Sequence, residues 1–284
     1  MLYNDKYDKM IDISTKQYTI ILVIGNGFDL NLGLPTRYKD FLSSSYFERL
    51  LDNKNELCLY LQKQNELELW VDLEYELQKY SWYNDAKDRT IFYNEYKELC
   101  SSLCQYINNI DLSSINEESK AYKIITELAP RPNLLIVNFN YTDSIEYIQK
   151  KAQFHLKATH IRVHGNARER SIIFGVEDKA DIRPQDVFLR KSANINFVPY
   201  DLSKKFKEAI AINIVGHSLG KSDHHYFLDL IRTQSYENAT SKNILVTYHG
   251  EFGRIAIMKE LDELTSNSLF QFQIKNKVTM IDLE

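Results

Sequence analysis

Four short clusters in this 284-residue chain combine residue types that can hold a nucleotide or move a proton. Gly25-Asn26-Gly27 follows the aliphatic run 20–24, and glycines there let the backbone turn sharply and aim amide N–H groups at a phosphate. Asn138-Phe139-Asn140-Tyr141-Thr142-Asp143 sets Asn140 and Asp143 just after a second aliphatic run, 133–137. His164-Gly165-Asn166 offers an imidazole able to accept a proton near neutral pH. Gly216-His217-Ser218-Leu219-Gly220 has the G-x-S-x-G spacing of the strand-to-helix elbow that exposes a nucleophilic serine.

Each cluster also has a purely structural reading. The dinucleotide fingerprint wants a third glycine three residues after the second, and Leu30 stands there, so Gly25-x-Gly27 alone reads equally as a tight turn. Gly33-Leu34-Pro35, a second turn before a new helix, favours the ligand reading. Asn140 and Asp143 serve as well as a turn former and a helix cap. His164, at a strand end before a glycine, is better placed for chemistry than the other six histidines. For Ser218, a hydrolase needs an acid and then a histidine at later strand ends. Asp223 or Asp229 and His249 are available, but little chain follows and no glycine run of the lipase oxyanion type precedes it.

The elements that position these clusters follow from hydrophobic patterning. Runs 20–24, 133–137, 159–163, 211–215 and 243–248 read as strands, with a short run at 171–175 and a final strand near 270–274. Helical patterns separate them, including 253–264. The fold class is therefore α/β: a Rossmann-like, mostly parallel sheet with helices on both faces and a large helical insertion after the first strand. Every cluster then falls beyond the carboxyl end of a strand, where ligands sit in open α/β sheets.

Residues 1–17 read as an N-terminal arm, 18–35 with 131–284 as the nucleotide-binding domain, and 36–130 as the insertion, which lacks Gly and Pro until Pro130. Thr36 is the predicted N-cap of its first helix, with Tyr38, Phe41, Leu42, Tyr46 and Leu50 at helical spacing. Further on, Trp70, Leu73 and Leu77 share one helix face while Asp72 and Glu76 share another. Paired carboxylates can do acid/base work but read first as a solvated face, with Glu74 the exception if its helix edges the cleft. The mixed-charge stretch 177–200 reads as a loop or flap over the site.

A net charge of −4 gives no reason to expect nucleic acid or an anionic membrane as partner. No apolar run approaches the ~20 residues that span a bilayer, and residues 1–16 are too polar for a secretory signal, so a cytoplasmic protein is expected. Cys58, Cys100 and Cys104, an odd set without a Cys-x-x-Cys pair, suggest neither a disulfide framework nor a structural zinc.

With these clusters in view, the chain resembles the bacteriophage abortive infection AbiH family. The resemblance is carried by Gly25-Asn26-Gly27-Phe28-Asp29-Leu30-x-x-Gly33-Leu34-Pro35-Thr36-x-Tyr38-x-Asp40-Phe41, Asn138-Phe139-Asn140-Tyr141-Thr142-Asp143, His164-Gly165-Asn166 and Gly216-His217-Ser218-Leu219. The same clusters are similar to the NAD-binding pattern of sirtuins. Gly25, Gly27, Gly33 and Pro35 fall in register with G-A-G-x-S-x-x-S-G-I-P, His164-Gly165 stands for the catalytic H-G, and Gly216-His217-Ser218-Leu219 stands for G-T-S-L. Phe139-Asn140-Tyr141 echoes Q-N-I-D, with Asp143 one place late. Asp29 replaces a serine, Tyr38 an arginine, and the zinc-binding cysteines are absent, so a zinc-dependent deacylase is not implied.

The resemblance implies a zinc-free sirtuin-like NAD glycohydrolase of antiphage defence, with NAD as substrate or ligand and no required cofactor or metal. Asn140 and His164 would be catalytic. Gly25, Asn26, Gly27, Asp29, Asp143, Gly216 and Ser218 would bind the nucleotide, Ser218 as a ribose or phosphate contact. A non-catalytic nucleotide or ADP-ribose sensor acting through a second copy or a defence partner, and a serine hydrolase using Ser218, are the alternatives.

Overall fold

The computed structural model describes residues 13, 15–67, 73–85, 88–236 and 239–284. Most of the proposed arm, together with Trp70 and Asp72, lies outside the described residues. Among the described residues, six strands form one sheet: β1 (Ile20–Ile24), β2 (Leu134–Asn138), β3 (Thr159–Arg162), β4 (Ala211–Val215), β5 (Asn243–Tyr248) and β6 (Lys277–Asp282). All pairings are parallel, and the order is β3-β2-β1-β4-β5-β6. Ile24 pairs with Asn138 on one side and Val215 on the other, so the carboxyl ends of the three central strands are level.

Strands buried on both faces explain the unbroken aliphatic runs. Ile21 and Val23 of β1, Leu135 and Val137 of β2, and Ile212 and Ile214 of β4 point into one core. That core is completed by α9 (Leu202–Glu208), α10 (His224–Thr233), α11 (Gly250–Leu264) and α12 (Leu269–Lys275). Leu22, Ile24, Leu134 and Ile136 alternate into the opposite core with α1 (Asn26–Asn31), α7 (Lys120–Leu128) and α8 (Ser144–Lys151).

A third core joins α2 (Tyr38–Leu42), α3 (Ser45–Asp52), α4 (Glu56–Leu67), α5 (Leu73–Tyr83) and α6 (Arg89–Asn108). Ala167, Ile172, Phe174, Val176, Ile182 and Leu189 complete it. Residues 171–175 therefore form no strand. Their apolar side chains close the helical core, and the Tyr96 hydroxyl donates to the Phe174 carbonyl. Residues 184–193 form short 3-10 turns, with Asp186 fully buried against Ser81 and Arg89. The stretch 177–200, expected to be a loop or flap, is a loop with 3-10 turns whose middle, at Ile182, Asp186 and Leu189, is braced on the helices.

Three further local expectations are corrected. Residues 269–275 are helical, because Phe270 and Ile274 stay exposed and only Phe272 is buried, so the apolar alternation there does not mark a strand face. The last strand is β6, immediately after. The first helix of the third core is capped by Arg37 rather than Thr36: the Arg37 amide donates to the Asp40 carboxylate at 2.9 Å, while the Thr36 amide is turned back to the Leu34 carbonyl. Glu76 is not on a solvated face; it is buried, accepting from Tyr60 at 2.8 Å and Lys79 at 2.7 Å.

Candidate active site

The turn after β1 and the turn after β4 are pressed together. The Gly25 amide donates to the Val215 carbonyl at 3.1 Å and the Gly27 amide to the Gly216 carbonyl at 2.7 Å. The Gly216 amide donates to Thr247 Oγ1 at 2.8 Å. A Cβ on Gly25 would stand 2.6 Å from His217 Cα, and one on Gly27 would stand 2.8 Å from Gly216 Cα. Glycine is needed here because backbone meets backbone. The close approach expected between these glycines and a phosphate is thus, in this conformation, an approach between two turns, and their amides are engaged within the protein. Asn26 is exposed at the first position of α1.

The end of β2 ties this crossing together. The Asn140 side-chain amide donates to the Gly25 carbonyl at 3.1 Å, and its backbone amide to Asn138 Oδ1 at 2.9 Å. Asn140 therefore holds the shape of the first glycine turn. Asp29 is buried and accepts from the hydroxyls of Thr142 and Ser144, each at 2.7 Å. Burial raises its carboxyl to about 6, against the pull of those donors. Asp143 occupies the N-cap position of α8 without capping it. Its carboxylate accepts from Arg162 at 2.9 Å and from the Asn166 amide, and lies 3.5 Å from Arg168.

His164, beyond β3, and His217, beyond β4, converge over the same rim, both in T-shaped contact with the Phe139 ring at centroid distances of 5.2 and 4.5 Å. Asp223 joins them: His164 Nε2 lies 3.4 Å from its Oδ1 and His217 Nε2 3.4 Å from its Oδ2. Lys191 Nζ is also 3.4 Å from Oδ1, and 3.1 Å from Glu74 Oε2 on α5. The Leu219 amide donates to His217 Nδ1 at 3.0 Å, which places the ring proton on Nε2, facing Asp223. His164 Nε2 is buried and has no aligned hydrogen-bond partner among the described residues.

Burial, reinforced by the Lys191 charge, pushes His164 down to about 4, so its imidazole is neutral at pH 7. Burial alone would raise Asp223; Lys191 and the two imidazoles outweigh it and hold the carboxyl well below the usual range. Against its own burial, Lys191 is held above the ordinary lysine value by Asp223 and Glu74.

Of the residues singled out in the sequence, Gly25, Gly27, Asp29, Asn140, Asp143, His164 and Gly216 lie around this rim. The Ser218 side chain is exposed, its Oγ accepting from the Gly220 amide at 3.3 Å. Of the other triad candidates, Asp223 faces His164 and His217. Asp229 accepts from Ser203, and His249 groups with Asp282 and Glu284 at the carboxyl ends of β5 and β6. That last trio has metal-like spacing but takes no part in the His164 cluster. The placement of Glu74 in the helical segment marks it in the sequence, whereas His217 stands one place before the more conspicuous serine. Lys191 carries no local signal.

A sheet that starts at β1, steps to β2 and β3, then returns to β4 on the other side is a doubly wound, Rossmann-like α/β fold whose strand order reverses between β1 and β4, the place where folds of this type take their ligands. The chain belongs to the bacteriophage abortive infection AbiH family, whose description, "Bacteriophage abortive infection AbiH", fits residues 21–245. That membership attaches it to phage abortive infection and names no reaction. No curated protein and no solved structure matches the chain. Among the described residues, no helix is long and apolar enough to cross a membrane.

Proposed function

We propose that this protein acts in phage defence by hydrolysing NAD between nicotinamide and ribose, with the dinucleotide at the rim between β1 and β4. The observation that carries this reading is the coincidence of the strand-order reversal with a buried, neutral imidazole, His164, backed by the Asp223 carboxylate. Cleavage breaks the bond from the ribose C1′ to the nicotinamide nitrogen. The electron pair leaves with nicotinamide, and water attacks the positively charged sugar. His164 accepts the proton that this water loses, and Asp223 stabilises the imidazolium. Asn140 acts through the Gly25 carbonyl, fixing the turn against which the dinucleotide is held. Much of the rate would come from positioning and exclusion of bulk water.

A nucleotide sensor without turnover is the second reading. It is favoured by the engagement of the Gly25 and Gly27 amides and by the burial of the His164 cluster, since binding would then open the rim and move the helices through Glu74.

The test is to incubate purified protein with NAD and measure free nicotinamide and ADP-ribose. Release by the wild type is expected, falling by ~10²- to 10⁴-fold in a folded His164→Ala variant. Binding without release selects the sensor, and equal release from His164→Ala removes the proposal.

A further inference from the structure

Lys191 stands at a seam. Its ammonium lies between Glu74, carried by the helical core, and Asp223, carried by the sheet. Its own backbone belongs to the helical side. The Lys191 amide donates to the Val176 carbonyl at 2.9 Å, the Val176 amide donates to the Leu189 carbonyl at 2.8 Å, and both Val176 and Leu189 are buried in the helical core. On the sheet side, the same carboxylate oxygen, Asp223 Oδ1, is approached at 3.4 Å by both Lys191 Nζ and His164 Nε2. Two groups that can each carry a positive charge thus compete for one oxygen. The His164 atom that competes is the one left buried without an aligned partner.

We infer that Lys191 is a positioning residue that controls the proton on His164: seated on Asp223 it keeps the imidazole neutral, and when the seam opens it leaves with Glu74 and His164 takes up a proton to pair with Asp223. The catalytic consequence rests on the NAD hydrolase reading; the proton coupling does not.

The charges balance on both sides of the opened seam. With the seam closed, Lys191 is shared by two carboxylates and His164 is neutral. After separation, Glu74 and Lys191 form one ion pair and Asp223 with protonated His164 forms another, so neither side keeps an isolated buried charge. One proton is taken up from solvent. The other titratable groups around this site are His217 on the far oxygen of Asp223, Tyr141 with its ring 6.5 Å from that of His164, and His225 and Tyr226, which face Asp223 and Lys191 from α10. With the seam closed, the lowered affinity of His164 for a proton has burial and Lys191 as its leading causes. Because the open state binds the proton more readily, opening becomes more favourable as pH falls from the open-state midpoint of His164 towards about 4, where the closed state takes up the proton too.

The coupling also gives the proposed catalytic group two roles. A neutral His164 can accept a proton, and a protonated one can donate it. The position of the helical core relative to the sheet then selects between them.

The experiment is an NMR titration of the His164 imidazole in the full chain without nucleotide, its resonance assigned by its absence from His164→Gln. In the wild type His164 is expected to titrate clearly below the ordinary histidine value. The Glu74→Gln/Lys191→Met double variant, which removes opposite charges from the helical side together, is expected to raise that midpoint by about one to two pH units, and adding Asp223→Asn is expected to abolish the rise. A wild-type midpoint at or above the ordinary histidine value overturns the inference even if no variant folds. So does an unchanged midpoint in a folded double variant. Because no substrate is present, absence of NAD cleavage leaves this result standing, and a failed titration leaves the cleavage assay standing.

Discussion

Replacing Gly216 with alanine is expected to abolish folding, or to destabilise the protein by more than about 4 kcal/mol, the range reserved for a severe local conflict. Two costs coincide. Gly216 has φ +65°, a conformation that L side chains rarely adopt, and its Cβ would stand 1.9 Å from the Phe28 amide nitrogen and 2.3 Å from the Gly27 carbonyl carbon. Both neighbours are backbone, fixed by the bonds that cross between the β1 and β4 turns, so neither can swing away. Gly33 supplies the control. Its φ is +87°, yet a Cβ there meets nothing within 4 Å. Gly33→Ala should therefore cost only the conformational strain, about 1–2 kcal/mol. Urea denaturation of the two variants separates the effects. Equal losses would mean that the two turns are not in contact, and with that the placement of His217 above the rim would fall.

Asp186→Ala is expected to be nearly as damaging, at about 3–5 kcal/mol, the cost of leaving a buried partner charge uncompensated. The carboxylate is fully buried, accepting from Arg89 Nε at 2.8 Å, from a second Arg89 nitrogen, and from Ser81 Oγ at 2.6 Å. Truncation strands a guanidinium that is 13% exposed. Replacing the pair together, as Arg89→Met/Asp186→Leu, should recover most of the loss, because an apolar pair of similar volume avoids desolvating either charge. A double-mutant cycle in urea measures the difference. If the single and double variants are equally unstable, the damage comes from packing and not from the orphaned charge. The pair also braces the segment that carries Lys191, so Asp186→Ala should loosen the hold of Lys191 on Asp223.

How much of this was legible in the sequence follows from burial. The runs at 20–24, 133–137, 211–215 and 243–248 announced themselves because central parallel strands are apolar on both faces. β6 lies at the sheet edge, is only half buried and carries Lys277 and Asp282, so it offers no such run. The exposed Phe270 and Ile274 of α12 offered a false one. Asn140 and His164 could be singled out because a strand end is a local feature. The partners that define their chemistry cannot: in the sequence Asp223 stands out only as a candidate triad acid, and Lys191 reaches the rim only because residues 167–189 pack into the helical core. Nor does a Gly-x-Gly pattern reveal whether its amides face a ligand or a neighbouring turn. Here Val215 and Gly216 take them.

The most direct measurement of where a nucleotide binds is hydrogen exchange of the full chain with and without saturating NAD. Slowed exchange is expected in residues 25–33, 138–143, 164–166 and 216–220, the segments that meet at the rim between β1 and β4. Protection confined to other parts of the chain, or none under conditions where NAD binds, would contradict a nucleotide site at that rim.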